Sequence, residues 1–334
     1  MFPCIIIPIL VFQSFLFYSD VCCSISRTFI FCGTWLKTGV FDLRNTCIAC
    51  DGSMRKDYHI SRHFVFPELF NLSFYVIVCD NCKLRSLFPA MNAKQRTAIY
   101  EKEYFSCASG SNEGRDYEKY RHDRLRIYSN KIQRIKRYAP TARKLIDIGA
   151  GYGDFLKLCK DEFEIHGLEL SAFAAKKAFE NHGIDVRQGM AEDVSQFDCV
   201  FDVIHMHHVF EHLHDPIKFL NLIKDKMQKD SIFLFEVPHQ FEELNFKIRD
   251  IVGKPSVLKG LYAIHHPYFY TVRSLELMLE KNGFEIIALD SCPPERKYYL
   301  VDHPVKRIFR LMLYFLYKLF ERGPVIEVIC RLKG

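Results

Sequence analysis

The chain has 334 residues, 49% of them hydrophobic, with 46 Lys and Arg against 40 Asp and Glu. With only 16 Gly and 13 Pro this excludes a collagen-like, low-complexity or wholly disordered protein, and the length suits one large domain or a mid-sized domain with a smaller companion. A formal charge of +6 gives no strong sign of a nucleic-acid protein, and 13 cysteines, several standing singly (Cys107, Cys159, Cys199, Cys292, Cys330), point to a reducing, cytoplasmic compartment rather than a disulfide scaffold.

Residues 1–44 form a hydrophobic N-terminal extension. Its first 18 residues carry no charge and the first basic residue is Arg27, so the charged start of a signal peptide is missing. Pro3 and Pro8 disfavour a spanning helix, and a packed extension is preferred to a membrane anchor. Residues 45–105 change to short alternating runs, with FYVIVCDNCKLRSLF reading as a hairpin around a knuckle. That is too little chain for a core of its own without a metal. Cys47-x2-Cys50 and Cys79-x2-Cys82, 28 residues apart, supply four thiolates for a closed, structural tetrahedral zinc site, with His59 and His63 as spare ligands.

Residues 106–140 are polar and basic, with 11 Lys and Arg from Arg115 to Lys144 against three acids. Leu125, Ile127, Ile132 and Ile135 fall on a helical spacing stopped by Pro140, which predicts a solvated linker helix; a cationic rim for a phosphorylated substrate is the alternative. From 141 to 334 the runs KLIDIG, FEIHGLEL, IDVRQG, CVFDVIHM, SIFLFEVP, FEIIALDS and VIEVICRL are seven candidate strands, mostly alternating with helical stretches such as AFAAKKAFENHG, capped by Gly183. Such alternation predicts an α/β fold, a Rossmann-like seven-stranded mainly parallel sheet covered on both faces.

KLIDIGAGYG places Gly149, Gly151 and Gly153 between the first of these strands and a helix starting near Asp154, so that the backbone can turn sharply and approach a ligand. Asp147, two residues before Gly149, would repel a pyrophosphate and suits a cofactor with an ammonium group. Glu169, at the second strand's tip, is placed to accept from both hydroxyls of a ribose, and Ala191 and Glu192 after the third strand lie where an adenine would sit. FDVIHMHHVFEHLHDP gathers His205, His207, His208, Glu211, His212 and His214 at the carboxyl end of the fourth strand, where a second substrate must lie. His205 reads as core, and Asp215 with Pro216 as a helix start. His208 or His212, oriented by Glu211, is the natural general base.

DIGAGYG, LELS, AEDV and HHVFEHLHDP, in this order and spacing, resemble the class I S-adenosylmethionine-dependent methyltransferases, nearest to the branch reading EHxxDP. The likeness covers residues 141–334. It implies that Asp147 and Gly149 hold the methionine end of the cofactor, Glu169 the ribose, and Ala191 with Glu192 the adenine pocket. Gly151, Gly153, Leu170 and His207 complete the cofactor-binding set, and His208, Glu211 and His212 form the catalytic acceptor site. Many relatives carry Asp where Met190 stands. Some related oxygen methyltransferases bind a divalent ion in an ExxEH motif here, so a metal at His208, Glu211 and His212 is an alternative, and His265 and His266 are further candidates for the active site. The cysteine segment is similar to the zinc-binding module that precedes some class I methyltransferases, including sugar carbon-methyltransferases, in which tyrosines equivalent to Tyr100 and Tyr104 cap the cofactor.

The resulting expectation is an S-adenosylmethionine-dependent methyltransferase with a structural zinc ion, acting on a small polar acceptor such as a sugar or nucleotide sugar. An RNA methyltransferase gripping RNA through the zinc module and a non-catalytic scaffold are the alternatives. VKRIFRLMLYFLYKLFER, near the C-terminus, is expected to cover the sheet in preference to lying on a membrane.

Overall fold

The computed structural model describes residues 46–60, 74–90, 121–244, 247–248, 266–291 and 304–334. The hydrophobic extension, Tyr100, Tyr104, His63, His265 and the side chain of His59 lie outside the described residues.

All seven expected strands are present in one sheet. The strands β4 (Lys144–Ile148), β5 (Glu164–Glu169), β6 (Arg187–Gln188), β7 (Phe201–His207) and β8 (Met227–Pro238) run parallel. Strands β10 (Phe284–Asp290) and β11 (Val325–Leu332) complete the order β10-β11-β8-β7-β4-β5-β6, with β11 antiparallel to both neighbours. The strands are continuous apolar runs because both faces are covered, and alternation along them sorts side chains to two sides. Leu145, Val203, Ile232, Leu234 and Ile329 pack beneath α1 (Arg121–Tyr138), α2 (Asp154–Cys159) and α3 (Ala172–His182). Ile146, Ile204, Met206, Phe233 and Phe235 pack beneath α4 (Pro216–Lys224) and α5 (Val272–Lys281).

The expected helix boundaries have the anticipated local causes. Gly183 ends α3 with φ 66°, Ser171 accepts from Ala174 N at its start, and Asp215 accepts from Lys218 N at 2.9 Å ahead of Pro216 at the start of α4. The linker expectation needs correction. Helix α1 buries Tyr128, Ile132, Ile135 and even Lys131 against the sheet, because that side of β8 and β11 carries two carboxylates needing a cation.

A second, antiparallel sheet has the order β1-β2-β3-β9, from Met54–Ile60, Phe74–Cys79, Arg85–Phe88 and Tyr268–Phe269. Its last strand, β9, comes from between β8 and α5, so the cysteine segment shares a sheet with the larger fold. It shares a core as well: Cys47, Cys79, Cys82 and Leu84 cluster with Tyr270, Leu275 and Met278. Residues 43–334 accordingly make one compact unit.

Candidate functional site

The chain leaves β4 towards β5 on one side and returns to the other side as β7, so a crevice opens at the carboxyl ends of β4 and β7. The glycine loop enters it from β4. Gly149, Gly151 and Gly153 have φ of 80°, 54° and 76°, and Gly149 N and Ala150 N donate to Leu168 O at 2.7 and 3.1 Å. A Cβ on Gly149 would stand 2.3 Å from Val209 Cγ2, so this glycine also lets the loop lie directly against the segment after β7. Glu169, at the tip of β5, is buried and accepts from Gly151 N (2.8 Å) and Ser171 N (2.9 Å), one amide on each carboxylate oxygen. Burial lifts its pKa above the usual carboxylate range against the pull of those amides, and neighbouring Asp147 adds to the lift. Leu170 is exposed beside it, and Ala191 and Glu192 are half-buried in the short 3-10 helix Ala191–Gln196. Asp147 is buried opposite His205 on β7, whose Nδ1–H donates to Asp147 Oδ1 at 2.7 Å; His205 is core, as its place inside the strand implies.

Three neighbouring histidines on β7 and its exit meet three environments. His205 is held by Asp147 and lies against Phe155, the two rings tilted by 30° with centroids 4.0 Å apart. His207 is driven neutral by burial, its pKa well below the ordinary imidazole value although Glu236 pulls the other way. His208, in the left-handed region at φ 56°, sits between two buried carboxylates: Nδ1 is 3.3 Å from Glu211 Oε1, and Nε2 is 3.1 Å from Glu236 Oε1. Burial alone would depress its pKa, but Glu211 and Glu236 outweigh that and hold it at about 9. An imidazolium gripped at both nitrogens is a charged brace and a poor base or metal ligand.

His212 is half-buried with its ring 4.7 Å from that of His266, and His266 Nδ1 lies 2.9 Å from Gln240 Oε1. The donor atoms of Glu211, His212 and His266 lie within 4.8 Å of one another, as do those of His207, His208 and Glu236, although a protonated His208 leaves the second group without the lone pair a cation needs. Apart from the contact of Glu211 Oε1 with His208, the Glu211 carboxylate and the Tyr270 hydroxyl are buried without a hydrogen-bond partner among the described residues. Such groups are what a polar ligand entering the crevice would satisfy.

The four cysteines converge. Cys47 Sγ lies 3.5 Å from Cys82 Sγ, Cys50 Sγ lies 3.5 Å from Cys79 Sγ, and all four are within 4.8 Å of one another. Sulfurs around a tetrahedral zinc ion would stand about 3.8 Å apart, given Zn–S bonds of about 2.3 Å. Each knuckle closes through a left-handed residue directly after its second cysteine, Asp51 at φ 56° and Lys83 at φ 63°. A Cβ on Gly52 would come within 3.0 Å of Cys79 Sγ and 3.3 Å of Cys50 Sγ, so only glycine leaves the cradle open. The donor set and spacing fit a zinc ion.

Sequence reasoning missed Glu236, Glu327 and Lys131. Lys131 Nζ is fully buried, 3.2 Å from Glu236 Oε2 and ion-paired with Glu327, which also meets Arg134 Nε at 2.8 Å. The signal was a lone acid inside each of two apolar strands, FLFEVP and VIEVIC. His266 was named, but its place beside His212 depends on β9 pairing with β3.

Residues 120–289 match a family model described as a methyltransferase domain. No curated protein matches the chain at a significant level. Similar solved structures include a SAM dependent methyltransferase from Archaeoglobus fulgidus, 21% identical, covering 62% of this chain and 94% of that one with a TM-score of 0.44. The plantazolicin methyltransferase BpumL in complex with SAH is 14% identical, covering 72% and 93% with a TM-score of 0.46. An S-adenosylmethionine-dependent methyltransferase from Clostridium acetobutylicum is 11% identical, covering 63% and 92% with a TM-score of 0.43.

Proposed function

Since the chain belongs to the methyltransferase-domain family and is an S-adenosylmethionine-dependent enzyme of class I, we propose that it methylates a small polar acceptor, such as a sugar or nucleotide sugar, at Glu211 and His212. The observation that carries this reading is the buried Glu211 carboxylate, whose Oε1 meets His208 and whose Oε2 has no hydrogen-bond partner among the described residues, beside His212 and at the same strand ends as the glycine loop. A hydroxyl donor would satisfy Oε2, whereas an apolar acceptor would leave that oxygen desolvated and without a hydrogen bond.

When bound, S-adenosylmethionine supplies an electrophilic methyl group on a sulfonium. The protein's task is then positioning plus removal of one proton. Glu169, fixed by Gly151 N and Ser171 N, keeps lone pairs for two ribose hydroxyls. The Asp147–His205 pair, with Gly149, borders the place of the methionine end, Ala191 and Glu192 that of the adenine, and Gly151, Gly153, Leu170 and His207 line the same side. On the acceptor side, Glu211 would receive one hydroxyl of the acceptor and His212 would take the proton of the attacking hydroxyl beside it, while His208 is braced between Glu211 and Glu236. Cys47, Cys50, Cys79 and Cys82 hold a structural zinc ion in this reading, four thiolates leaving no open position for chemistry.

Calorimetric titration with S-adenosylmethionine tests the cofactor half. Glu169→Ala should weaken binding about 10- to 100-fold, the worth of hydrogen bonds to a charged group. His212→Ala should leave that affinity intact and lower kcat about 10²- to 10⁴-fold, as loss of a general base does. No binding by the wild type would end the proposal. Labelled cofactor offered in parallel with nucleotide sugars, lipids and RNA tests the acceptor class, and transfer to RNA alone would overturn it.

A further inference from the structure

The short 3-10 turn Phe210–His212 and the segment entering β9 are fastened together. Phe210 is fully buried, its ring 4.8 Å from that of Phe235 and 5.3 Å from that of Tyr270, and Tyr268 OH donates to His214 O at 3.2 Å. Glu211, His212 and His266 converge between these two segments, each offering one ligand atom, and the three atoms lie within 4.8 Å of one another. Neighbours orient two of the side chains. His266 Nδ1 faces Gln240 Oε1 at 2.9 Å, and an amide oxygen accepts an N–H, so the imidazole lone pair is on Nε2. Glu211 is 2% exposed, with Oε1 against His208 Nδ1 and Oε2 without a hydrogen-bond partner among the described residues. A buried carboxylate oxygen in that state calls for a ligand.

We propose that Glu211, His212 and His266 bind a divalent first-row transition ion such as zinc or cobalt. The donor set selects the ion: two imidazoles with one carboxylate suit ions of the zinc, iron and nickel kind, whereas magnesium and calcium prefer oxygen throughout. Metal bonds of about 2.1 Å place ligand atoms about 3.4 Å apart, a contraction within the swing of the half-buried His212 ring. Three protein ligands leave a coordination position open, unlike the closed set of four cysteines. The set differs from the His208, Glu211 and His212 that the sequence offers as an alternative. Both His208 nitrogens are engaged by carboxylates, Glu211 Oε1 at 3.3 Å and Glu236 Oε1 at 3.1 Å, and His266 takes its place. The consequence for turnover rests on the reading of His212 as the base. The lone pair that binds the ion is the one that would take the acceptor's proton, so one excludes the other and the ion inhibits.

The test is calorimetric titration of the full chain, its four-cysteine site first filled with zinc, with cobalt(II) chloride and separately with magnesium chloride, followed by visible absorption of the cobalt-loaded protein. The expected result is one cobalt ion per chain beyond the zinc, a spectrum of cobalt held by nitrogen and oxygen, and no response to magnesium. Gln240→Leu keeps all three ligands and should weaken cobalt binding about 10- to 100-fold, as loss of the outer partner of a ligating histidine does; His266→Ala should weaken it further. Both variants should keep the wild-type circular dichroism and S-adenosylmethionine affinity, which report an intact fold. Failure of the wild type to bind cobalt, undiminished binding in both variants, or a spectrum made up of thiolate charge-transfer bands alone would overturn the proposal. Cobalt should also lower methyl transfer from labelled cofactor. Binding that spares transfer would leave the ion site standing and remove His212 as the base.

Discussion

Gly149 stands where the glycine loop and the segment after β7 touch, and its two constraints can be separated. In Gly149→Ala the new Cβ meets Val209 Cγ2 at 2.3 Å and the backbone must hold φ 80° with a side chain present. Left-handed strain of about 1–2 kcal/mol and overpacking of about 1–3 kcal/mol should both lower stability, and the displaced loop should weaken S-adenosylmethionine binding. Adding Val209→Ala should recover the overpacking part, so the double variant should unfold at higher denaturant than the single one. Equal midpoints would show that the two loops do not press on each other. His208 supplies a pH signature. Its folded pKa of about 9 lies above the ordinary 6.5, so its contribution to stability is complete below about pH 6.5 and lost as pH rises through about 9. The groups facing it are Glu211 and Glu236, with His207 and the Lys131 ammonium beyond. Urea midpoints measured from neutral to alkaline pH should fall in the wild type more than in His208→Gln; parallel curves would refute the assignment.

Helix α1 shows where reading the sequence stops working. Its apolar spacing and its stop at Pro140 were legible, as were all seven strands of the large sheet, the glycine loop, the acid at the tip of β5 and the cysteine knuckles. All of these are signalled within a few residues. The fate of Lys131 was not, because its partners lie 105 and 196 residues away and meet it only once β11 inserts antiparallel beside β8. Alternation then turns Glu236 and Glu327 to the same side as Leu234 and Ile329, under α1. The spacing of a basic helix suggests a solvated face, whereas one of its cations, Lys131, is buried between two carboxylates that Arg134 and His208 also meet. Lys131→Met keeps the length of the side chain and removes the charge. It should cost about 3–5 kcal/mol, the penalty for breaking a buried ion pair from one side. Chemical denaturation measures this, and a loss below about 1 kcal/mol, typical of solvent-exposed pairs, would mean the site stays wet.

The two sheets behave as one body because strand β9 belongs to both stories: it closes the small sheet and lies two residues beyond His266. Leu87 N donates to Pro267 O at 3.0 Å, Tyr268 OH to His214 O at 3.2 Å, and Thr271 Oγ1 to Cys82 O at 2.8 Å, while Lys281 pairs with Asp51 after the first knuckle. Arg85 on β3 reaches Glu242 beyond β8 at 2.9 Å. Order in the cysteine cluster is thereby passed to the acceptor side of the crevice through backbone and side-chain bonds at β9. A zinc ion there would contribute to folding directly, on the order of 10 kcal/mol in small zinc modules, and that contribution would be shared by the large sheet. Stripping the protein with a strong chelator should lower the melting temperature of the whole unit in a single transition, seen equally by far-ultraviolet circular dichroism and by cofactor-site fluorescence. It should also speed hydrogen exchange at Tyr268–Thr271 and lower turnover more than cofactor affinity, since His266 lies at the acceptor end. Two separate transitions, with the catalytic sheet melting at its original temperature, would instead show the cysteine segment to be an independent module resting on the enzyme, and the shared strand to be a contact without energetic weight.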